Sequence, residues 1–181
     1  MTPTIKGMFV MSHVNKLRHE KGEEAVHELE RRFGSSVKFK NMQDVPVRDE
    51  VRIIELALDI LGGAPVDVAE LAYEAGRLHL RNFMGTAFGV IISSALPKSR
   101  DGFRMLLLRS GYIARHVFKN SNFNARSDGN DVIVAMDNSD YPIEHFRGFF
   151  TEWMSYWGLE APNVSARETT PHTFEYVMHI V

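Results

Sequence analysis

Cysteine is absent from the 181 residues. That removes disulfides, thiolate metal sites, iron–sulfur clusters, cysteine nucleophiles and c-type haem attachment. A surplus of positive charge is absent too. Twenty-one Lys+Arg stand against 23 Asp+Glu, a formal charge of −2, so no global basic field draws in nucleic acid or an anionic membrane. Long apolar runs are also missing. The most apolar stretch, Phe83 to Ala95, is broken by Gly85, Gly89, Ser93 and Ser94 and falls short of a bilayer span. Met1 to Met11 does not read as a secretory signal, and a cytoplasmic protein is expected. Catalytic signatures are equally scarce. The chain has no Gly-x-Gly-x-x-Gly, no Walker loop, no Gly-x-Ser-x-Gly and no His-Glu-x-x-His, so no enzyme is expected.

What is present is an ordinary globular composition, 44% hydrophobic and 24% charged, too apolar for disorder. The first two-thirds has helical periodicity. The pattern predicts helices from Met8 to about Glu20, from Glu23 to Phe33, and from Pro46 to Leu61, with Gly22, Gly34 and Gly62-Gly63 as stops. Ser35 to Val45 reads as a loop. One long helix is expected from Pro65 to about Ser94. Another follows from the cap Ser99 to Phe118, with Gly111 as a weak point or a place of close approach.

From Phe123 the period changes to 2. Strands are expected at 123–127 and 131–136 around the turn Asp128-Gly129-Asn130. A helix follows over Pro142 to Trp157. Two more strands are expected, from Val164 to Glu168 and from Thr173 to Val181. Phe174, Tyr176, Met178 and Ile180 share one face of the last. The sum is an α+β fold: a helical portion, residues 1–120, then a β-β-α-β-β antiparallel sheet with one covering helix, residues 121–181. Neither part buries its apolar face alone, so a single domain over 1–181 is expected.

Several short stretches carry a resemblance. Lys6-Gly7-Met8-Phe9, Gly22, and Leu71-Ala72-Tyr73-Glu74-Ala75-Gly76-Arg77, in that order before the closing strand–strand–helix–strand–strand, resemble the superfamily of haem nitric oxide/oxygen-binding (H-NOX) domains. Its relatives include 4-vinyl-reductase-type domains and TRAPP vesicle-tethering subunits. The nearest likeness is to an uncharacterised bacterial paralogous family of that fold. The resemblance implies a ligand-binding fold without catalysis, pairing into a homodimer and contacts with other signalling proteins.

It also implies where haem would sit, and there the sequence departs. H-NOX domains hold haem by a histidine on the helix before the sheet and by a Tyr-x-Ser-x-Arg signature. The expected ligand position falls near Ser110 to Tyr112, and the only histidine on that helix is His116. The signature position reads Asp137-Asn138-Ser139-Asp140-Tyr141, whose carboxylates would repel haem propionates. The cofactor expectation is therefore none, with His116 as the one haem candidate.

Eight histidines invite a metal site, but no two stand at i, i+3 or i, i+4. Scattered histidines and no metal are expected. Carboxylates such as Asp49-Glu50 sit at helix starts, where the helix dipole accounts for them. The stripe Phe146, Phe149, Phe150, Trp153, Met154, Trp157 spans a wider arc than a sheet should cover. Its surplus, with Phe83 and Arg77, is assigned to a hydrophobic small-molecule pocket or a protein interface. The function expected is a non-enzymatic regulatory or adaptor domain. The alternatives are a haem-based gas sensor and a small-molecule sensor.

Overall fold

The computed structural model describes residues 1–160 and 162–180. Helix α1 (Gly7–Lys21) ends at Gly22 and α2 (Glu23–Phe33) at Gly34, both with positive φ. Helix α3 (Val47–Leu61) follows Pro46 and stops at a left-handed Gly62. These stops are local, which is why the sequence announces them.

The expected long helix is two. Helix α4 (Val68–Met84), capped by Asp67 accepting from the Glu70 amide at 2.9 Å, ends before Gly85. Helix α5 (Ala87–Ser94) begins after Thr86, whose hydroxyl caps the Gly89 amide at 3.0 Å. Threonine competes with the helix for its own backbone groups and so restarts it in a new direction. Gly89 packs so closely that a Cβ there would overlap the Phe83 carbonyl. The helix expected from Ser99 to Phe118 also divides, into α6 (Arg100–Leu108) and α7 (Ser110–Ala114). Gly111 is a place of close approach, since a Cβ would meet the Phe123 carbonyl.

The helical portion contains strands that periodicity did not reveal. Strands β1 (Thr4–Lys6), β2 (Asp44–Pro46) and β3 (Phe118–Lys119) form a small antiparallel sheet of order β2-β1-β3. In it Ile5 lies opposite both Val45 and Phe118. The main sheet comprises β4 (Asn122–Asp128), β5 (Asp131–Asp137), β6 (Val164–Thr170) and β7 (Thr173–His179), in order β4-β5-β7-β6 and antiparallel throughout. Gly129, at φ 57°, forms the tight β4–β5 turn with Asn130. The last strand stops at His179; the expected end at Val181 lies outside the described residues.

Helix α8 (Ile143–Tyr156) explains the wide aromatic stripe. It is wedged between the sheet and α4, so it is buried on two sides. Phe146, Phe149, Phe150, Trp153, Met154 and Trp157 are all under 9% exposed. The expected surplus therefore does not reach the surface. The α4–α8 approach depends on two glycines. A Cβ on Gly76 would overlap the His145 carbonyl, and one on Gly148 the Tyr73 carbonyl. Among the described residues no helix is long and apolar enough to cross a membrane.

Candidate functional site

The α4–α8 interface separates two interior regions of opposite character. Between α4, α7, α8 and the start of the main sheet lies an apolar cavity of about 50 Å³. Phe83 of α4, Ser110 and Ile113 of α7, Phe123 of β4, and Phe146, Phe149, Phe150 and Trp153 of α8 form most of its wall. Five residues singled out from the sequence thus meet around one space: Phe83, Phe146, Phe149, Phe150 and Trp153. Two wall residues carry buried polar atoms that have no partner among the described residues, the Ser110 Oγ and the Trp153 Nε1.

Arg77 and His116 are not part of this wall. Arg77 reaches Glu152 at 2.8 Å and Glu74 at 3.0 Å along the outer α4–α8 seam. His116 is exposed, with its ring 5.2 Å from that of Tyr112. The helix that would have aimed it ends at Ala114.

On the other side of His79 the interior is polar. His13 of α1, Glu50 of α3, His79 of α4 and His145 of α8 are each no more than 2% exposed. The His13 Nε2 lies 2.9 Å from the Glu50 Oε1. The His79 Nδ1 is 3.4 Å from that same oxygen and 3.0 Å from the His145 Nε2. The Tyr141 hydroxyl donates to the Glu50 Oε2 at 2.6 Å, and the Asn82 amide meets the His13 Nδ1 at 2.9 Å. Among the described residues the His145 Nδ1 and the Asn82 Oδ1 have no partner.

This grouping corrects two expectations. Three of the histidines are not scattered, and Glu50, though in the first turn of α3, is buried and held by specific partners, so the helix dipole alone does not account for it. The i, i+3 and i, i+4 spacing relates ligands on one helix only. Here each helix contributes one or two groups, and only packing brings them together. His13, Glu50 and His79 offer ligand atoms all within 4.8 Å of one another, the one such group among the described residues.

Burial pushes the His79 and His145 imidazoles well below their usual range, to about 4 and about 3. Both are therefore neutral bases at neutral pH, with lone pairs free to accept or ligate. For Glu50, burial acts to raise the carboxyl pKa. Its histidine neighbours and the His13 hydrogen bond outweigh this and hold it below the usual carboxylate value. Burial first, and the facing carboxylate second, push the Tyr141 phenol far up, so it remains a donor.

Solved structures of the same architecture are H-NOX domains. An oxygen-binding H-NOX domain related to soluble guanylate cyclases, in its oxygen complex, matches at TM-score 0.65 and 14% identity, covering 96% of this chain and 93% of that one. A mutant H-NOX of T. tengcongensis matches at TM-score 0.65 and 14% identity, covering 97% of each chain. The Fe(II) unliganded H-NOX protein of K. algicida, also a mutant, matches at 0.62 and 11%, covering 97% and 96%. At such identities the likeness shows the fold. No curated protein matches the chain in sequence.

Haem, which this fold family implies, does not fit the residues present. A haem-sized ligand needs a pocket of several hundred cubic ångströms, whereas aromatic side chains here leave about 50 Å³. The α7 wall offers the Ser110 hydroxyl, not an imidazole. His79, the one histidine on the wall, directs its Nδ1 toward His145 and Glu50. At the stretch compared with the haem-propionate signature, Ser139 accepts from the Tyr141 amide and Tyr141 turns inward to Glu50. The model of one family, described as "Protein of unknown function (DUF2378)", matches residues 1–179. By that match this chain, which carries the H-NOX fold, belongs to the DUF2378 family.

Proposed function

We propose that this protein is a haem-free, non-enzymatic regulatory or adaptor domain of the cytoplasm. It acts by pairing with a second copy and with signalling proteins. Its central cavity is a site for a very small, largely apolar molecule rather than for a porphyrin.

The observation that carries this reading is the outer face of α5. Ala87, Val90, Ile91 and Ala95 are all exposed, Val90 at 55% and Ile91 at 64%. They recur at helical spacing on one side, so the helix presents an apolar stripe outward while Gly89 and Ile92 face the core. A contiguous apolar face of that kind marks an interaction surface more often than isolated exposed residues do.

The cavity supports the ligand half of the reading. Its volume is about a third of the roughly 150 Å³ of an engineered cavity that admits benzene or xenon. Only a molecule of a few heavy atoms fits. The unpartnered Ser110 hydroxyl and Trp153 indole offer it polar contacts.

Two measurements test the proposal. Light scattering of the purified protein should show a dimer that Val90→Asp with Ile91→Asp converts to monomer without loss of helical signal. A monomer at all concentrations would remove the pairing. Titration with haemin should leave the Soret band that of free haemin. A stoichiometric shift would restore the gas-sensor reading.

A further inference from the structure

The buried cluster on the polar side of His79 has a geometry that hydrogen bonds alone satisfy poorly. The geometry points to a closed metal site in which His13, Glu50, His79 and His145 bind one divalent transition-metal ion, with zinc the best-suited occupant.

Donor spacing is the first argument. From His13 to Glu50, Glu50 to His79, and His79 to His145, successive atoms stand 2.9, 3.4 and 3.0 Å apart. Ligands at about 2.1 Å from a tetrahedral zinc lie about 3.4 Å from one another. The His79–Glu50 separation is at that value, and longer than the usual side-chain hydrogen bond of about 2.7–3.2 Å. The His13–Glu50 pair needs to open by only a few tenths of an ångström, whereas His145, which lies outside the group of atoms within 4.8 Å of one another, must swing toward the other three to close the site.

The second argument is the proton count at His79. Its Nδ1 faces two potential acceptors at once, the Glu50 carboxylate oxygen and the His145 Nε2. If Nδ1 carries a proton, His145 must hold its own on Nδ1, where no acceptor exists. If His145 donates instead, the His79 Nδ1 lone pair is taken by that bond and no proton stands between Nδ1 and the Glu50 carboxylate oxygen 3.4 Å away in the dry interior. A cation at the centre removes the second conflict, because the His79 Nδ1 and the Glu50 oxygen then both contribute lone pairs to it.

The surroundings are arranged as metal sites commonly are. The Tyr141 hydroxyl fixes the second oxygen of Glu50, and Asn82 contacts the far nitrogen of His13. Turning the Asn82 amide over lets its now unpartnered Oδ1 accept from His13 Nδ1–H. That would leave His13 Nε2 free to ligate. Three imidazoles and one carboxylate suit zinc and its neighbours, not calcium or magnesium, which take oxygen cages. Because the four residues come from α1, α3, α4 and α8, the ion would tie together four helices. Its burial makes the site structural and dependent on folding for loading.

The test is to unfold the protein in chelator and refold it with and without one equivalent of Zn(II) or Co(II). Metal content after desalting, Tm and the Co(II) visible spectrum are then read. One retained ion per chain, a higher Tm with metal, and an intense tetrahedral cobalt spectrum are expected. Glu50→Gln and His79→Gln should lose the ion, and Tyr141→Phe should weaken binding by about tenfold. His116→Gln, which changes an exposed histidine, should keep it. Wild-type protein that refolds to the same Tm with and without metal and retains only a trace would overturn the proposal. Equal metal retention by His79→Gln and wild type would do the same. If the variants fail to fold, the wild-type cobalt spectrum decides alone.

Discussion

On one face of His79 the interior is polar, a hydrogen-bonded cluster with two atoms left unpartnered; on the other it is aromatic and slightly under-filled. Both regions are equally hidden from water, yet burial acts on them through different physics. On the polar side each group depends on a specific partner, because a buried charge or donor left alone bears its full desolvation cost. On the aromatic side the requirement is volume, and neighbouring rings substitute for one another so long as space is filled. The first region is therefore intolerant of chemical change and the second of changes in size. His79 belongs to both. Its Nδ1 lies in the polar group while its ring packs edge-on to Phe149 at 5.3 Å.

The contrast is broken most severely by separating the helices that enclose both regions. Gly76→Ala or Gly148→Ala forces α4 and α8 apart against carbonyl oxygens, not against yielding side chains. Each should cost about 3 kcal/mol or more and lower Tm sharply in thermal unfolding. A neutral result at either position would mean the two helices do not cross where described.

Emptying the aromatic side comes next. Phe150→Ala should cost about 3–5 kcal/mol in urea unfolding, since Phe150 packs on Trp153, Phe149 and Tyr176. Phe150→Leu should recover a large part of it, as a region governed by size requires. On the polar side, Tyr141→Phe keeps shape and removes one hydroxyl. It should still cost about 2 kcal/mol because the Glu50 carboxylate loses its donor. Equal tolerance of Phe150→Leu and Tyr141→Phe would erase the distinction between the two sides.

Ser110→Ala should act in the opposite sense and stabilise by about 1 kcal/mol, because it deletes a buried hydroxyl that has no partner. Destabilisation would instead mean that the hydroxyl holds a ligand or water in the cavity. The smallest effect lies outside both regions, on the sheet. Hydrogen bonds from Arg167 first, then Arg126, lower the Glu175 carboxyl below its ordinary value. Its contribution is fully present above the unfolded-state value, near 4.5, and is lost as pH falls through the lower folded value. Glu175→Gln should flatten the acid side of a Tm-versus-pH profile slightly. Both arginines are more than half exposed, so salt should shrink the difference.

The parts legible in advance were those written locally. The stops at Gly22, Gly34 and Gly62, the Asp128–Asp131 hairpin and the face shared by Phe174, Tyr176 and Met178 each follow from a few neighbouring residues. Strands β1, β2 and β3 were not legible. Each has only two or three residues, and Ile5 becomes a strand residue only through partners at 45 and 118. The aromatic wall was half legible: α8 advertised its rings, but only the position of α4 decided that Phe149 would be buried instead of exposed. The polar cluster was illegible, because helical spacing relates residues of one helix, whereas His13, Glu50, His79 and His145 lie on four helices, with Glu50 37 residues after His13 and His145 66 after His79.

Sequence by itself determined the first helices with their stops, the strand–strand–helix–strand–strand order of the main sheet and the exclusion of thiol chemistry, since backbone propensity, turn residues and hydrophobic period act over a few residues. Only the tertiary structure decided that His13, Glu50, His79 and His145 meet, and that the space between α4 and the sheet is filled by Phe and Trp. Those outcomes depend on how closely Gly76 and Gly148 let two helices approach. The free energy of that approach is a property of packed surfaces, which no short window of residues contains.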